Sequence, residues 1–573
     1  MPAPTVAPDD FASPAPSQDA AFDALAAGFV DQYLELDPVQ ATELGDHRFD
    51  GRWPSFGADM VPTHRQLIAA TREKLASIDP SALRDAARID RAILVNRLEL
   101  ATFDLDTAQP WVRDPVFYTG LIGDGLDPLV TRDFAPHAER MESLRQRLEA
   151  LPALIAQAKA NLQHPSKVAT QTAIDQNNGL VDLVSESLPA EFDKEPTQKA
   201  ALAAAAAKAL AALRDFGTFL HKDLLERSDG DFRLGREAFH KKVGYYLEAE
   251  IPPDQLYASA VELLDQTLGE MTSTALELWP ELFPKAPKPA PKTEADRREL
   301  IRKVLDQLAQ DRPSNATIVA EARKLTEDAT AFVRDHNLVE LPNEPLRVIE
   351  MPEYRRGVAV AYCDSSGPLE KKRETFFAIS PTPKDWTAKR VLSFYREYNR
   401  SMLADLTVHE AMPGHYLQIA HEARFKSPIR SVFESGPFVE GWAVYAEWLM
   451  AKHGFGGPRV RMERLKMVLR LCANAMIDHD VHAGHMSREA AMKLMMDQAF
   501  QEEGEAAGKW KRAQLTSAQL TTYFYGFHEM MKLRERAEAL PGFNERAYHD
   551  KLLSFGAPPP KYLAHLMFGD PLP

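Results

Sequence analysis

The stretch Thr407-Val-His-Glu-Ala-Met-Pro-Gly-His-Tyr-Leu-Gln418 carries two imidazoles, His409 and His415, with the carboxylate of Glu410 beside the first. A second stretch, Phe438-Val-Glu-Gly-Trp-Ala-Val-Tyr-Ala-Glu447, supplies Glu440 and Glu447. A catalytic zinc ion usually takes three nitrogen or carboxylate ligands and keeps a further position for water, which it acidifies. A carboxylate beside a ligand, but not itself bound, can then move the proton. On this chemistry His409, His415 and Glu440 are the expected ligands of Zn2+, and Glu410 is the expected general base. Both stretches lie in a region, from Trp386 onward, whose apolar pattern is helical. The expected fold is therefore mostly α, with the metal held between helices.

The histidine spacing departs from the common His-Glu-x-x-His arrangement, in which the two rings share a helical face at i and i+4. Positions i and i+6 lie about 240° apart on an ideal helix. Pro413 and Gly414 offer a way out, because proline removes a helical donor and glycine accepts backbone angles that other residues avoid. The helix is expected to break or bulge there, swinging His415 back toward His409. A core histidine satisfied by ordinary hydrogen bonds is the alternative on spacing alone.

His-Glu-x-x-Pro-Gly-His followed by Glu-Gly-Trp-Ala-x-Tyr-Ala-Glu resembles the bacterial family catalogued as domain of unknown function 885, which is itself similar to helical zinc metallopeptidases of the gluzincin type. The resemblance runs from about Phe22 onward and is most specific after Arg396. It implies a peptidase-like zinc site with His409, His415 and Glu440 as ligands. Glu447, seven positions after Glu440 and back on roughly the same helical face, then fits a role in orienting a ligand imidazole.

Two further places match the family pattern. In Ile477-Asp-His-Asp-Val-His-Ala-Gly-His485, Asp478 and His482 occupy its Asp and His positions. This implies that His482 donates a hydrogen bond to substrate or oxyanion, with Asp478 supporting it. His479 and His485 read as surface or packing residues, and an independent metal site on this histidine cluster is the alternative. In Gln519-Leu-Thr-Thr-Tyr-Phe-Tyr-Gly526 and Arg534, Tyr523 is the expected oxyanion donor, since a phenol aimed at developing charge is worth several kcal/mol. Here Ser517-Ala518 stands where the family pattern has Pro-Gly. Arg534, on the same helical face as Tyr523, either meets a free peptide carboxylate or pairs with an internal acid such as Glu440 or Glu447.

The remaining sequence bounds the reading. With 68 Lys and Arg against 83 Asp and Glu, the net charge of −15 argues against a nucleic-acid partner. Cys363 and Cys472, the two cysteines, are too few for a disulfide framework. Residues 1–20 are rich in Pro, Ala, Ser and Asp and read as a mobile segment. They lack a basic-then-apolar leader, and no later stretch reads as a membrane span. A cytoplasmic protein is expected, or an exported one with its signal removed, and no membrane contact.

Residues 21–282 read as a helical region. The alanine-rich run 200–213 reads as a packed interior helix, and a Gly- and Asp-rich loop is expected at 119–127. A Pro/Lys-rich connection at 283–296 marks a soft boundary before a metal-binding region, 297–573. Within it, 346–350, 358–362 and 375–380 read as short strands of a small sheet just before the metal helix. Metallopeptidases of the resembled type pair an edge strand with the substrate backbone. A sheet that merely closes the core is the alternative. The expected whole is a large helical, groove-shaped molecule acting on short peptides as a zinc peptidase. A zinc hydrolase of a non-peptide amide or ester, and a binding protein that keeps the metal as a pin, are the alternatives.

Overall fold

Apolar residues at three- and four-residue spacing dictate the helices of the first half. In the helix His137–Asn161, Met141, Leu144, Leu148 and Leu151 form one buried stripe. It packs on Lys199–Phe219, whose Leu202, Ala205, Ala209 and Leu213 face it. The alanines let the two axes approach, so the alanine-rich run is interior as expected. The computed structural model describes residues 18–249, 251–351, 356, 360–370 and 373–573. Residues 1–17 of the expected N-terminal segment lie outside them.

The loop expected at 119–127 is instead the middle of the helix Pro115–Thr131. Tyr118, Ile122, Leu126 and Leu129 are fully buried along one face. Each such burial contributes about 1.5–3 kcal/mol, whereas a glycine in a helix costs about 1 kcal/mol relative to alanine. The apolar stripe therefore wins. Gly125 has its own reason to be glycine, because a Cβ there would lie 2.2 Å from the Trp53 ring.

A larger core lies under the second half. The long helices Pro253–Leu282 and Gly457–His482 run against each other, and Gly436–Lys452 and Thr521–Glu538 share their core. Residues 283–293 are irregular, as the prolines require, and a Thr293/Asp296 capping box starts the next helix, Glu294–Leu308. Phe239, Leu256, Leu264 and Met271 nevertheless pack into the same core as Leu465, Leu469 and Phe524. Helices on both sides of the connection at 283–296 therefore share one core.

The sheet has three strands, β1 (Leu346–Glu350), β2 (Ala361–Ser365) and β3 (Thr375–Ile379), in the order β1-β3-β2. β1 is parallel to β3 and β2 antiparallel to it. The second strand lies later than the expected 358–362, of which 358 and 359 fall outside the described residues. β3 takes the centre, with Phe377, Ala378 and Ile379 fully buried. β2 is left as an edge, and its outward-turned Cys363 N–H meets Glu410 of the helix that also carries His409.

Candidate metal centre

The helix Arg400–Glu410 begins on Asn399, whose side chain accepts from the Ser401 and Met402 amides, and stops at Glu410. A new helix, His415–Glu422, starts after the turn. The break falls where Pro413 and Gly414 demand it, and the Met412–Pro413 bond is cis. Gly414 folds its amide back onto the Val408 carbonyl at 2.9 Å. A Cβ there would sit 1.9 Å from the His409 carbonyl oxygen, so only glycine fits. The Trp442 indole N–H donates to the Pro413 carbonyl at 2.9 Å and fixes the turn against the helix Gly436–Lys452.

The turn brings the two rings together, with centroids 4.7 Å apart and planes at 89°. His409 Nε2 and His415 Nε2 lie 3.5 and 3.6 Å from the same Glu440 oxygen, Oε2. Two ligands of a tetrahedral zinc, each about 2.0–2.1 Å from it, stand roughly 3.4 Å apart. The separations match that spacing and are too long for good hydrogen bonds. Glu440 Oε2 is enclosed and has no hydrogen-bond partner among the described residues. His409 Nδ1 shares a 2.6 Å hydrogen bond with Glu447 Oε1, and Glu447 is 2% exposed. With the proton held at Nδ1, Nε2 keeps its lone pair for a metal.

The charges fit a cation too. Burial alone would raise the Glu440 carboxyl and lower the His409 imidazole. The facing rings outweigh that for Glu440 and hold its carboxyl well below the usual range. Glu440, Glu447 and Glu410 outweigh it for His409 and push the imidazole well up. Two imidazoles facing three carboxylates thus carry an excess of negative charge, which a divalent ion neutralises. The donor set, its spacing and its unsatisfied oxygen all fit zinc.

Glu410 and Tyr523 flank this cluster. The Glu410 carboxylate accepts the Cys363 backbone N–H at 3.0 Å, which ties the metal helix to the edge strand β2. Tyr523 stands in the first turn of Thr521–Glu538, which crosses the Glu440 helix at two glycines. A Cβ on Gly441 would lie 2.6 Å from the Gly526 carbonyl carbon, and one on Gly526 would lie 2.1 Å from the Pro437 oxygen. This backbone contact places the phenol one turn from the crossing, near Glu440. The Glu440 charge and then burial raise the Tyr523 phenol above its usual range.

The family model for bacterial proteins of unknown function catalogued as DUF885 matches residues 38–567. The chain belongs to the DUF885 family. A solved structure described as a candidate lipoprotein of unknown function, from Shewanella oneidensis, is 31% identical with a TM-score of 0.80. That match covers 95% of this chain and 99% of the other. A second, described as a candidate lipoprotein from Colwellia psychrerythraea, has a TM-score of 0.77 at 17% identity over 96% and 98% of the two chains. At that identity it is a likeness of fold alone. No curated protein matches. Among the described residues, no helix is long and apolar enough to cross a membrane.

Other positions read from the DUF885 pattern lie differently from expectation. His482 does not present a donor to the cluster. It is 2% exposed, and its Nε2 lies 3.0 Å from the Ala513 carbonyl and 2.9 Å from that of Thr516, so its N–H is spent there. Asp478, expected to support His482, directs its carboxylate to the following loop. It accepts from the Ala518 and Thr521 amides, both at 3.1 Å, and from the Thr521 hydroxyl at 2.9 Å. The pair thus anchors the loop that leads into the Tyr523 helix. Ala518 holds φ at +67°, and the hydrogen bond that its amide donates to Asp478 helps fix that strained backbone.

Arg534 shares a face with Tyr523, but three turns separate them by about 16 Å along the axis. It pairs with Glu538 and Glu545, and its Nη1 donates to the Tyr445 hydroxyl at 2.8 Å. At 1% exposed, with internal partners, it does not read a substrate carboxylate. Nor are its acids the expected Glu440 or Glu447. Arg534→Met should lower unfolding free energy by about 2 kcal/mol, because the buried Tyr445 hydroxyl loses a charged donor while Glu538 and Glu545 keep Lys452 and His453. Chemical denaturation measures this. Cleavage of a peptide and of its C-terminally amidated twin should keep the same ratio.

Arg512, Tyr246 and Glu434 went unnoticed in the sequence. Arg512 donates to Gln519 Oε1 at 2.7 Å and reaches the Tyr523 oxygen at 3.4 Å. Burial raises the Tyr246 phenol, on which Arg97, Glu440, Asp478 and Arg512 also act electrostatically. Glu434 lines a cavity of about 730 Å³ and interacts electrostatically with His415 and Glu440. Cys363, Glu422, Tyr33 and Arg97 line the same cavity. No motif or spacing ties these positions to the metal stretch. They meet only through tertiary folding.

Proposed function

We propose that this protein is a zinc-dependent hydrolase that cleaves short peptides. The observation that carries the reading is the convergence of His409 Nε2 and His415 Nε2 on Glu440 Oε2 at 3.5 and 3.6 Å, with Glu410 alongside. Zinc bound there would polarise a substrate carbonyl and acidify a water molecule. Two His ligands, a Glu from a following helix and a neighbouring Glu base resemble the gluzincin-type metallopeptidases.

The chain's own groups then divide the work. Glu410 takes the proton of the attacking water and returns it to the leaving nitrogen. Its bond to the Cys363 amide holds the carboxylate against the edge strand β2. Tyr523 donates to the oxyanion as charge develops, and Arg512 steadies the phenol. Glu447 keeps the His409 ring in the tautomer a ligand requires. Since the Cys363 N–H points away from β3, the two-residue alternation turns Ala361 and Ser365 the same way. That edge suits an extended peptide backbone.

The adjoining cavity of about 730 Å³ is of a size that takes small ligands, which supports short peptides over folded proteins. The description of the 31%-identical structure as a lipoprotein supports an exported location over a cytoplasmic one. The test is to incubate zinc-loaded and chelated protein with a mixed peptide pool and an ester panel, reading products by mass spectrometry. Peptide cleavage that needs zinc, with intact globular proteins resistant, is the expected result. Turnover confined to esters would overturn the peptidase reading.

A further inference from the structure

Away from this centre, His240, Asp254 and His479 bring three metal-binding groups together, with all their ligand atoms within 4.8 Å of one another. They come from three helices, Arg236–Leu247, the first turn of Pro253–Leu282 and the last turn of Gly457–His482. His479 Nε2 lies 2.9 Å from Asp254 Oδ1, and His240 Nε2 lies 4.0 Å from the same oxygen.

Three details distinguish this set from a surface ion pair. His240 Nε2 is enclosed by protein and has no hydrogen-bond partner among the described residues, a costly state for an imidazole nitrogen. His479 Nδ1 lies 2.9 Å from Asp480 Oδ1, while the Tyr257 hydroxyl donates to Asp480 Oδ2 at 3.1 Å. A carboxylate behind an imidazole, itself held by a further donor, is how ligating histidines are usually oriented. Arg236 pairs with Asp254 Oδ2 and leaves Oδ1 turned toward the two rings.

We propose that His240, Asp254 and His479 form a second divalent-metal site, separate from the His409 centre, that clasps these three helices together. Two imidazoles and one carboxylate suit zinc, and also cobalt, nickel or copper. Asp254 is half exposed, so water completes the coordination, and the Arg236 charge makes this site weaker than the His409 centre. It is not the i, i+3 histidine set of the sequence, since His482 faces the Ala513 and Thr516 carbonyls instead.

The position gives the site a consequence. Its ligands lie on both sides of the 283–296 connection, and His479 directly follows Asp478, which anchors the loop before Tyr523. Lys242, two residues after His240, donates to Ser517 Oγ at 2.8 Å in that same loop. Metal at the clasp therefore braces the approach of Tyr523 from two sides.

The test removes the first centre and counts what remains. Full-length His409→Ala/Glu440→Ala protein is titrated with zinc chloride, reading bound metal by equilibrium dialysis and Tm by calorimetry. Cobalt chloride, read by visible absorption, serves as a second probe. About one equivalent should bind and raise Tm. Adding His240→Ala, a partly exposed position whose loss leaves the core intact, should bring uptake to near zero and abolish the Tm rise. Equal uptake with and without His240→Ala, or none in either, would overturn the proposal. The clasp stands apart from the hydrolase reading. Zinc binding abolished by His240→Ala and indifferent to His409→Ala would support the clasp while defeating the first centre.

Discussion

Glu410→Gln is expected to keep its zinc and to lose peptide hydrolysis by a factor of about 10²–10⁴, the usual contribution of a positioned general base. Glutamine has the same shape, and its carbonyl oxygen still accepts the Cys363 amide, so the edge strand and the metal helix stay in register. What is lost is the capacity to take a proton. The loss should appear in kcat as well as in kcat/KM, because the interaction is made in the transition state. Steady-state kinetics on metal-loaded protein, with zinc content and circular dichroism checked on the same sample, makes the measurement. Turnover near that of the wild type would remove Glu410 from the base role.

His415→Ala is expected to abolish both metal binding at the first centre and activity. In a His240→Ala background, where the count reports that centre alone, bound zinc should fall from about one equivalent to near zero, as a three-ligand site requires. The prediction depends on the Pro413-Gly414 turn, because only the break after Glu410 lets a ligand six positions from His409 reach the same Glu440 oxygen. Gly414→Ala should act in the same direction without removing a ligand, since a Cβ there meets the His409 carbonyl at 1.9 Å. Full zinc occupancy in His415→Ala would show that the third ligand lies elsewhere.

What could be read from the chain follows from how local each signal is. The two histidines, the break between them and Glu440 are specified within two short stretches, and the turn at Pro413-Gly414 brings the two rings onto the same Glu440 oxygen. Glu447 was legible for the same reason, since its two-turn offset from Glu440 is fixed by helix geometry. The strands were legible because their β-branched and aromatic residues are bounded by turn residues.

The misses share a different cause. A helical face gives a direction but no depth, so Arg534 shares the face of Tyr523 while standing three turns away among Glu538, Glu545 and Tyr445. His482 matched its motif position, but which way its ring turns depends on the Ala513 and Thr516 carbonyls, more than thirty residues later. The segment 119–127 was misread because its glycines were weighed without the buried face of Tyr118, Ile122 and Leu126. Arg512 reaches the Tyr523 oxygen through the packing of separate helices.

The claim that His409, His415 and Glu440 form a zinc centre served by Glu410 is tested most directly by measuring zinc content and peptide hydrolysis together. His240→Ala protein would be compared with His240→Ala/Glu410→Gln and His240→Ala/His415→Ala. The account predicts zinc with activity in the first, zinc without activity in the second and neither in the third. Hydrolysis that persists in His415→Ala without zinc at this centre would contradict it.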